Sequence, residues 1–124
     1  MNDFFKNIKV GMATLVDWFG KGASPVDKQV AEMRASVCVR CPMNQAGSWT
    51  DRWGEYADTV LGVFWWLKTK GCESTQDENL HICTACDCPM RVKIWVPREM
   101  IDDHLPESTK AKLWSECWMR KNEN

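Results

Sequence analysis

The chain has 124 residues, a mass of 14.3 kDa and a formal charge of -1 from 16 basic and 17 acidic side chains. That length predicts one domain and excludes an elaborate multidomain enzyme, while the near-neutral charge argues against a coat for nucleic acid, which neutralises many phosphates. The outliers are seven cysteines and eight tryptophans, beside one tyrosine and four phenylalanines.

In chain order, Phe4, Ile8, Met12, Leu15 and Phe19 recur at steps of four and three, which predicts an amphipathic helix over 3–19 that Gly20 and Gly22 end. Asp3, Lys6, Lys9 and Asp17 interrupt its apolar residues, so it does not read as a secretory h-region. Synthesis in the cytoplasm is the expectation, and cysteines there stay reduced. Ser24-Pro25-Val26-Asp27 reads as a helix start: a hydroxyl N-cap, proline at the first position and a carboxylate near the positive dipole end. Val26, Val30, Met33 and Val37 mark one face of this second helix, which delivers Cys38.

After a loop at 43–48, a third helix is predicted from about Trp49 to Lys70, burying Trp53, Ala57, Val60, Leu61, Phe64 and Leu67 and stopping at Gly71. Its most apolar run, Val60 to Leu67, is far shorter than the roughly 20 residues a membrane span needs. A polar connector follows over 72–80. Val92, Ile94 and Val96 then alternate with Arg91, Lys93 and Trp95, which predicts a strand or hairpin arm ending at Pro97. Short helices are expected within 97–104 and 106–118. The expected fold is mainly α, with three main helices, short C-terminal helices and a small zinc-knuckle or β-hairpin element. It divides into an N-terminal docking helix over 1–22, one metal-stabilised domain over 23–118 with an inserted tryptophan-rich helix at 49–71, and a polar tail at 119–124.

Cys38-Val39-Arg40-Cys41 and Cys83-Thr84-Ala85-Cys86 are two CxxC pairs. Two intervening residues let a tight turn aim both sulfurs at one centre, and two such pairs complete a tetrahedral zinc site with Zn–S distances of about 2.3 Å. The first expectation is therefore one structural zinc on Cys38, Cys41, Cys83 and Cys86. Cys88 and Cys117 are alternative ligands, in a permuted set or a six-thiolate, two-zinc cluster, and an iron–sulfur or disulfide arrangement stays open. Cys72 reads as a bystander thiol, His81 as a surface or supporting group, and His104 has no partner in the pattern.

Large aromatic side chains can fill the core of a small domain, which accounts for Trp53, Trp65 or Trp66, and Trp114. Eight tryptophans exceed that need. Phe4, Ile8, Trp18, Trp65, Trp66 and Trp95 are therefore candidates for contact with a partner protein. Arg91, Lys93, Arg98 and Trp95 form a sparse basic and aromatic patch, read first as a solvated strand face and second as a nucleic-acid grip.

Arg34-Ala35, Cys38-Val39-Arg40-Cys41-Pro42-Met43-Asn44, Cys83-Thr84-Ala85-Cys86-Asp87-Cys88-Pro89-Met90-Arg91-Val92-Lys93, Leu105-Pro106 and Cys117-Trp118 resemble small cysteine-cluster proteins of tailed bacteriophages. Those share a CxxCP element, a CxxCxC element followed by a lysine-bearing strand, and a late cysteine followed by tryptophan. The likeness spans about residues 30–118 and departs from shorter members in the 42–82 insertion and the N-terminal helix. It implies a phage origin and a metal-stabilised fold. No nucleophile, base and orienting group form a set. The expected function is a noncatalytic, zinc-stabilised structural or adaptor component of a virion that docks on larger virion proteins or on copies of itself, without membrane or nucleic acid. The alternative is a phage regulator that binds a host protein or nucleic acid.

Overall fold

The computed structural model describes residues 2–46 and 53–120, with side chains from residue 6 onward. It is mainly helical, with a small antiparallel sheet. Helix α1 spans Asn2–Gly20, α2 Lys28–Cys38, α3 Ala57–Thr69, α4 Met90–Lys93, α5 Arg98–His104 and α6 Glu107–Lys110. Three two-residue strands, β1 Asn44–Gln45, β2 Ile82–Cys83 and β3 Cys88–Pro89, pair in that order.

The first helix lies within a residue of its predicted span. Its end is a left-handed cap: Gly22 and Ala23 have φ of +95° and +46°, and the Ala23 N–H returns to the Trp18 carbonyl at 2.9 Å. Ile8, Leu15 and Trp18 point into the core, whereas Val16 and Phe19 face outward. The helix packs on α5 and is tied to it by His104 Nε2, 3.0 Å from Asp17 Oδ2. Through Ile8, Leu15 and Trp18 the helix contributes to the core cluster. Gly11 allows the close crossing of Trp53, whose Cη2 would stand 2.6 Å from a Cβ added there.

Four other expectations change. Helix α2 begins at Lys28, after an extended Asp27, and no side chain caps it; Ser24 instead accepts the Trp18 indole N–H on its carbonyl at 3.3 Å. The start of the inserted helix, 49–52, lies outside the described residues; from Trp53 the chain makes a 3-10 turn over Gly54–Tyr56 and then α3.

The predicted strand over 92–96 is a helical turn. All five of its residues are buried, so the alternation of Lys93 and Trp95 with Val92, Ile94 and Val96 does not separate a wet face from a dry one. The segment that leads into α2 and α2 itself fix this turn. The Val26 N–H donates to the Trp95 carbonyl at 3.0 Å, and Arg34 Nη1 donates to the carbonyls of Ile94 and Val96 at 3.0 and 2.7 Å. The tail also starts later than expected: Met119 is buried and Arg120 Nη1 donates to the carbonyls of Lys110 and Leu113, while 121–124 lie outside the described residues.

Candidate metal centre

Three stretches bring cysteines into the core. Helix α2 ends on Cys38, and a turn closed by the Cys41 N–H on the Cys38 carbonyl, 3.1 Å, swings Cys41 toward the same side. The Met43 N–H then donates to Cys41 Sγ at 3.3 Å. The second stretch is a tight hairpin: β2 and β3 pair Cys83 directly with Cys88, and Asp87 between them takes φ +58°. Asn7 Nδ2 of α1 donates to the Asp87 carboxylate at 2.8 Å, and Trp53 Nε1 donates to the Asp87 carbonyl at 2.8 Å. These bonds hold a non-glycine residue in a conformation its Cβ disfavours. The third stretch contributes Cys117, and the adjacent Trp118 donates its indole N–H to Cys38 Sγ at 3.3 Å.

The sheet joins the two CxxC units. Asn44, three residues past Cys41, pairs with Cys83, and the Thr84 N–H donates to the Met43 carbonyl at 2.9 Å. As a result Cys38, Cys41, Cys83 and Cys117 line one small cavity. Cys86 and Cys88 line a second, apolar cavity against α1. Lys93 lines both.

As thiols, Cys38, Cys41, Cys83 and Cys86 are shifted away from ionisation. Burial pushes Cys38 up to about 11, despite the indole N–H that favours its thiolate. A hydrogen bond with Cys86, followed by burial, drives Cys83 further in the same direction. Cys86 is pulled down by its bond with Cys83, yet Cys88 and burial leave it at about 12. Cys88 is lowered, chiefly by its bond with Cys86. Lys93 is 6 % exposed and its Nζ stands 3.4 Å from Cys86 Sγ and 5.5 Å from the Trp118 ring centroid. Burial opposes its charge, but negative charge on Cys86, Cys83, Cys88 and Cys117 holds its pKa well above the ordinary lysine value.

Among the described residues, no group of three or more His, Cys, Asp or Glu side chains is placed so that it could hold a metal ion. The donors are, by their chemistry, of the type that a thiophilic dication takes. Four thiols share one small cavity, backbone and indole N–H groups point at two of their sulfurs, and the nearby lysine and arginine would offset the charge of thiolates. Of the first expected set, Cys38, Cys41 and Cys83 line this cavity together with the alternative Cys117, and Cys86 lines the other.

The remaining candidates lie elsewhere. Cys72, at the end of α3, has Lys70 as its charged neighbour and lines neither cavity. His81 lines a groove with Leu61 and Phe64. Ile8, Trp18 and Trp95, expected at a partner interface, are buried in the chain's own core, because α1 and the 94–96 turn pack inward. Trp66 is half-buried against Trp18 and Phe19, Trp65 is 60 % exposed, and the Phe4 side chain lies outside the described residues. The basic patch does not form one surface: Lys93 and Trp95 are internal, Arg91 Nε donates to the Asp77 carbonyl and Arg98 to the Met119 carbonyl. Lys93 and Arg34 were missed as core cations; a lone lysine inside the apolar run Val92 to Val96 was the available signal.

Comparison with protein-family models, with curated proteins and with solved structures gives no significant match.

Proposed function

We propose that the chain is a noncatalytic, zinc-stabilised structural or adaptor protein of a bacteriophage particle, docking on larger particle proteins or on copies of itself. The observation that carries this reading is the meeting of Cys38, Cys41, Cys83 and Cys117 around one cavity from three distant stretches of chain. Bound zinc supplies thiolate bonds worth on the order of 10 kcal/mol of folding free energy in small domains. The chain's own part is to gather the donors: α2 and its turn present Cys38 and Cys41, the hairpin presents Cys83, and Trp118 sets Cys117 beside Cys38.

A four-sulfur shell leaves no open position for substrate, which favours structure over catalysis. The docking role falls to the aromatic outer face of α3 and α1. Trp65 projects from α3, with Lys68 Nζ 5.1 Å from both its ring and that of Phe64, while Val16 and Phe19 are exposed on α1. The particle setting rests on the bacteriophage resemblance alone.

Mass spectrometry of purified particles, with elemental analysis of the isolated chain, tests the reading. The protein is expected as a stable particle component that copurifies with zinc. Its absence from particles would overturn the adaptor role, and a folded chain that takes up no zinc would overturn the metal role.

A further inference from the structure

We infer that the groove between α3 and the junction of β3 with α4 binds a small amphiphilic monocarboxylate, its apolar body against Phe64 and its carboxylate on Arg91 and His81. The inference goes beyond the zinc and particle readings and stands without either, because no cysteine lines the groove. The groove has a volume of about 380 Å³, inside the range of about 300–1,000 Å³ typical of small-molecule sites.

Its lining joins an apolar body to a cationic mouth. Leu61 and Phe64, three residues apart on α3, are neighbours on one helix face, and the buried Leu80 and Pro89 continue the hydrocarbon lining. His81 and Arg91, both half-buried, are the two lining residues whose side chains carry nitrogen. Such a surface with a few convergent polar groups is the usual build of a ligand pocket, in which the polar groups orient the guest.

The polar pair is held in place by bonds that leave its ligand-facing atoms unused. The His81 N–H donates to Asn44 Oδ1 at 2.9 Å and its carbonyl accepts the Met90 N–H at 2.9 Å, so the main chain is satisfied and the imidazole is left over. Arg91 Nε donates to the Asp77 carbonyl at 2.8 Å, and the guanidinium carbon stands 5.7 Å from the Phe64 ring centroid. The Asp77 carboxylate acts on Arg91 through its charge, but its Oδ2 accepts the Ser74 N–H at 3.3 Å, and among the described residues no carboxylate forms an ion pair with Arg91. A neutral apolar guest would cover the remaining guanidinium N–H groups without giving them an acceptor, and an ammonium would be repelled. A carboxylate matches the guanidinium fork, and one cation calls for one negative charge.

Amide NMR of the full chain, titrated with hydrocinnamate and separately with its primary amide, hydrocinnamamide, tests the site. Hydrocinnamate is expected to bind saturably, with a Kd on the order of millimolar, and to shift the amides of Leu61, Phe64, His81 and Arg91. Hydrocinnamamide has the same body without the charge and should bind about tenfold more weakly. Arg91→Gln should lower the affinity for the acid about tenfold and leave that for the amide unchanged. No saturable shift, equal affinity for acid and amide, or shifts confined to the Trp65 face would each overturn the inference. The comparison of acid with amide uses the wild-type chain, so it decides the matter even where Arg91→Gln does not fold. N-acetyl-glycyl-phenylalanine presents the same ring and a carboxylate on a peptide: equal or weaker binding than hydrocinnamate supports a free acid, and tighter binding would overturn it in favour of a peptide terminus.

Discussion

Replacing Arg34 tests how the centre is held together. Its side chain is 1 % exposed, and its guanidinium carbon lies 4.2 Å from the Trp118 ring centroid while Nη1 bonds the carbonyls of Ile94 and Val96. One residue of α2 thereby fixes the turn after Lys93 and the tryptophan beside Cys117. Arg34→Ala removes two charge-assisted hydrogen bonds and strands two carbonyls, at about 1–3 kcal/mol for each unsatisfied group. Loss of the stacking contact adds about 1 kcal/mol. Allowing for overlap, the expected cost is about 3–5 kcal/mol, a large part of the about 5–15 kcal/mol typical of a domain. Arg34→Lys keeps the cation but loses the planar fork, and should cost about 1–3 kcal/mol. Urea unfolding at fixed free zinc measures both: with a slope of about 1.5 kcal/mol/M, a 3 kcal/mol loss lowers the midpoint by about 2 M. An Arg34→Ala variant within about 0.5 kcal/mol of the parent would refute the argument, because it would place Arg34 among ordinary surface positions.

Gly11→Ala sets a methyl group 2.6 Å from Trp53 Cη2, so the helix or the indole must shift; thermal unfolding should show a loss of about 1–3 kcal/mol, and an unchanged midpoint would contradict the close crossing. Asp17 accepts from His104 and pairs with Lys21, which together hold its carboxyl below the usual value. Its folded pKa is the lower one, so its contribution is complete above the unfolded value and is lost as pH falls below about 4. Melting curves of wild type and Asp17→Asn should therefore converge in acid, and a constant gap between them would count against the pair. Trp65→Ala should change stability by less than about 0.5 kcal/mol yet weaken association with particles, since the ring stands largely in solvent; normal association would remove α3 from the docking face.

Much of the fold follows from local pattern. The 3.6-residue period and the paired glycines place α1 almost to the residue, and the second helix ends on Cys38 as expected. The face that α1 buries was less legible, because apolar residues occur on two stripes and only the positions of Trp53 and α5 decide which turns inward. Residues 92–96 show why alternation misleads in a small core: both faces of the segment are covered, and the lysine among them answers to sulfur instead of water. At the centre, CxxC spacing identifies which cysteines act together within each turn. It says nothing of Cys117, which reaches Cys38 only through the placement of Trp118 and the packing of the C-terminal turns.

The central claim is that distant cysteines form one sulfur-bound metal centre. Zinc-edge X-ray absorption of the zinc-loaded wild-type chain tests it most directly. A first shell of sulfur alone at about 2.3 Å is expected. Nitrogen or oxygen in that shell, or a folded chain that carries no zinc to measure, would contradict it.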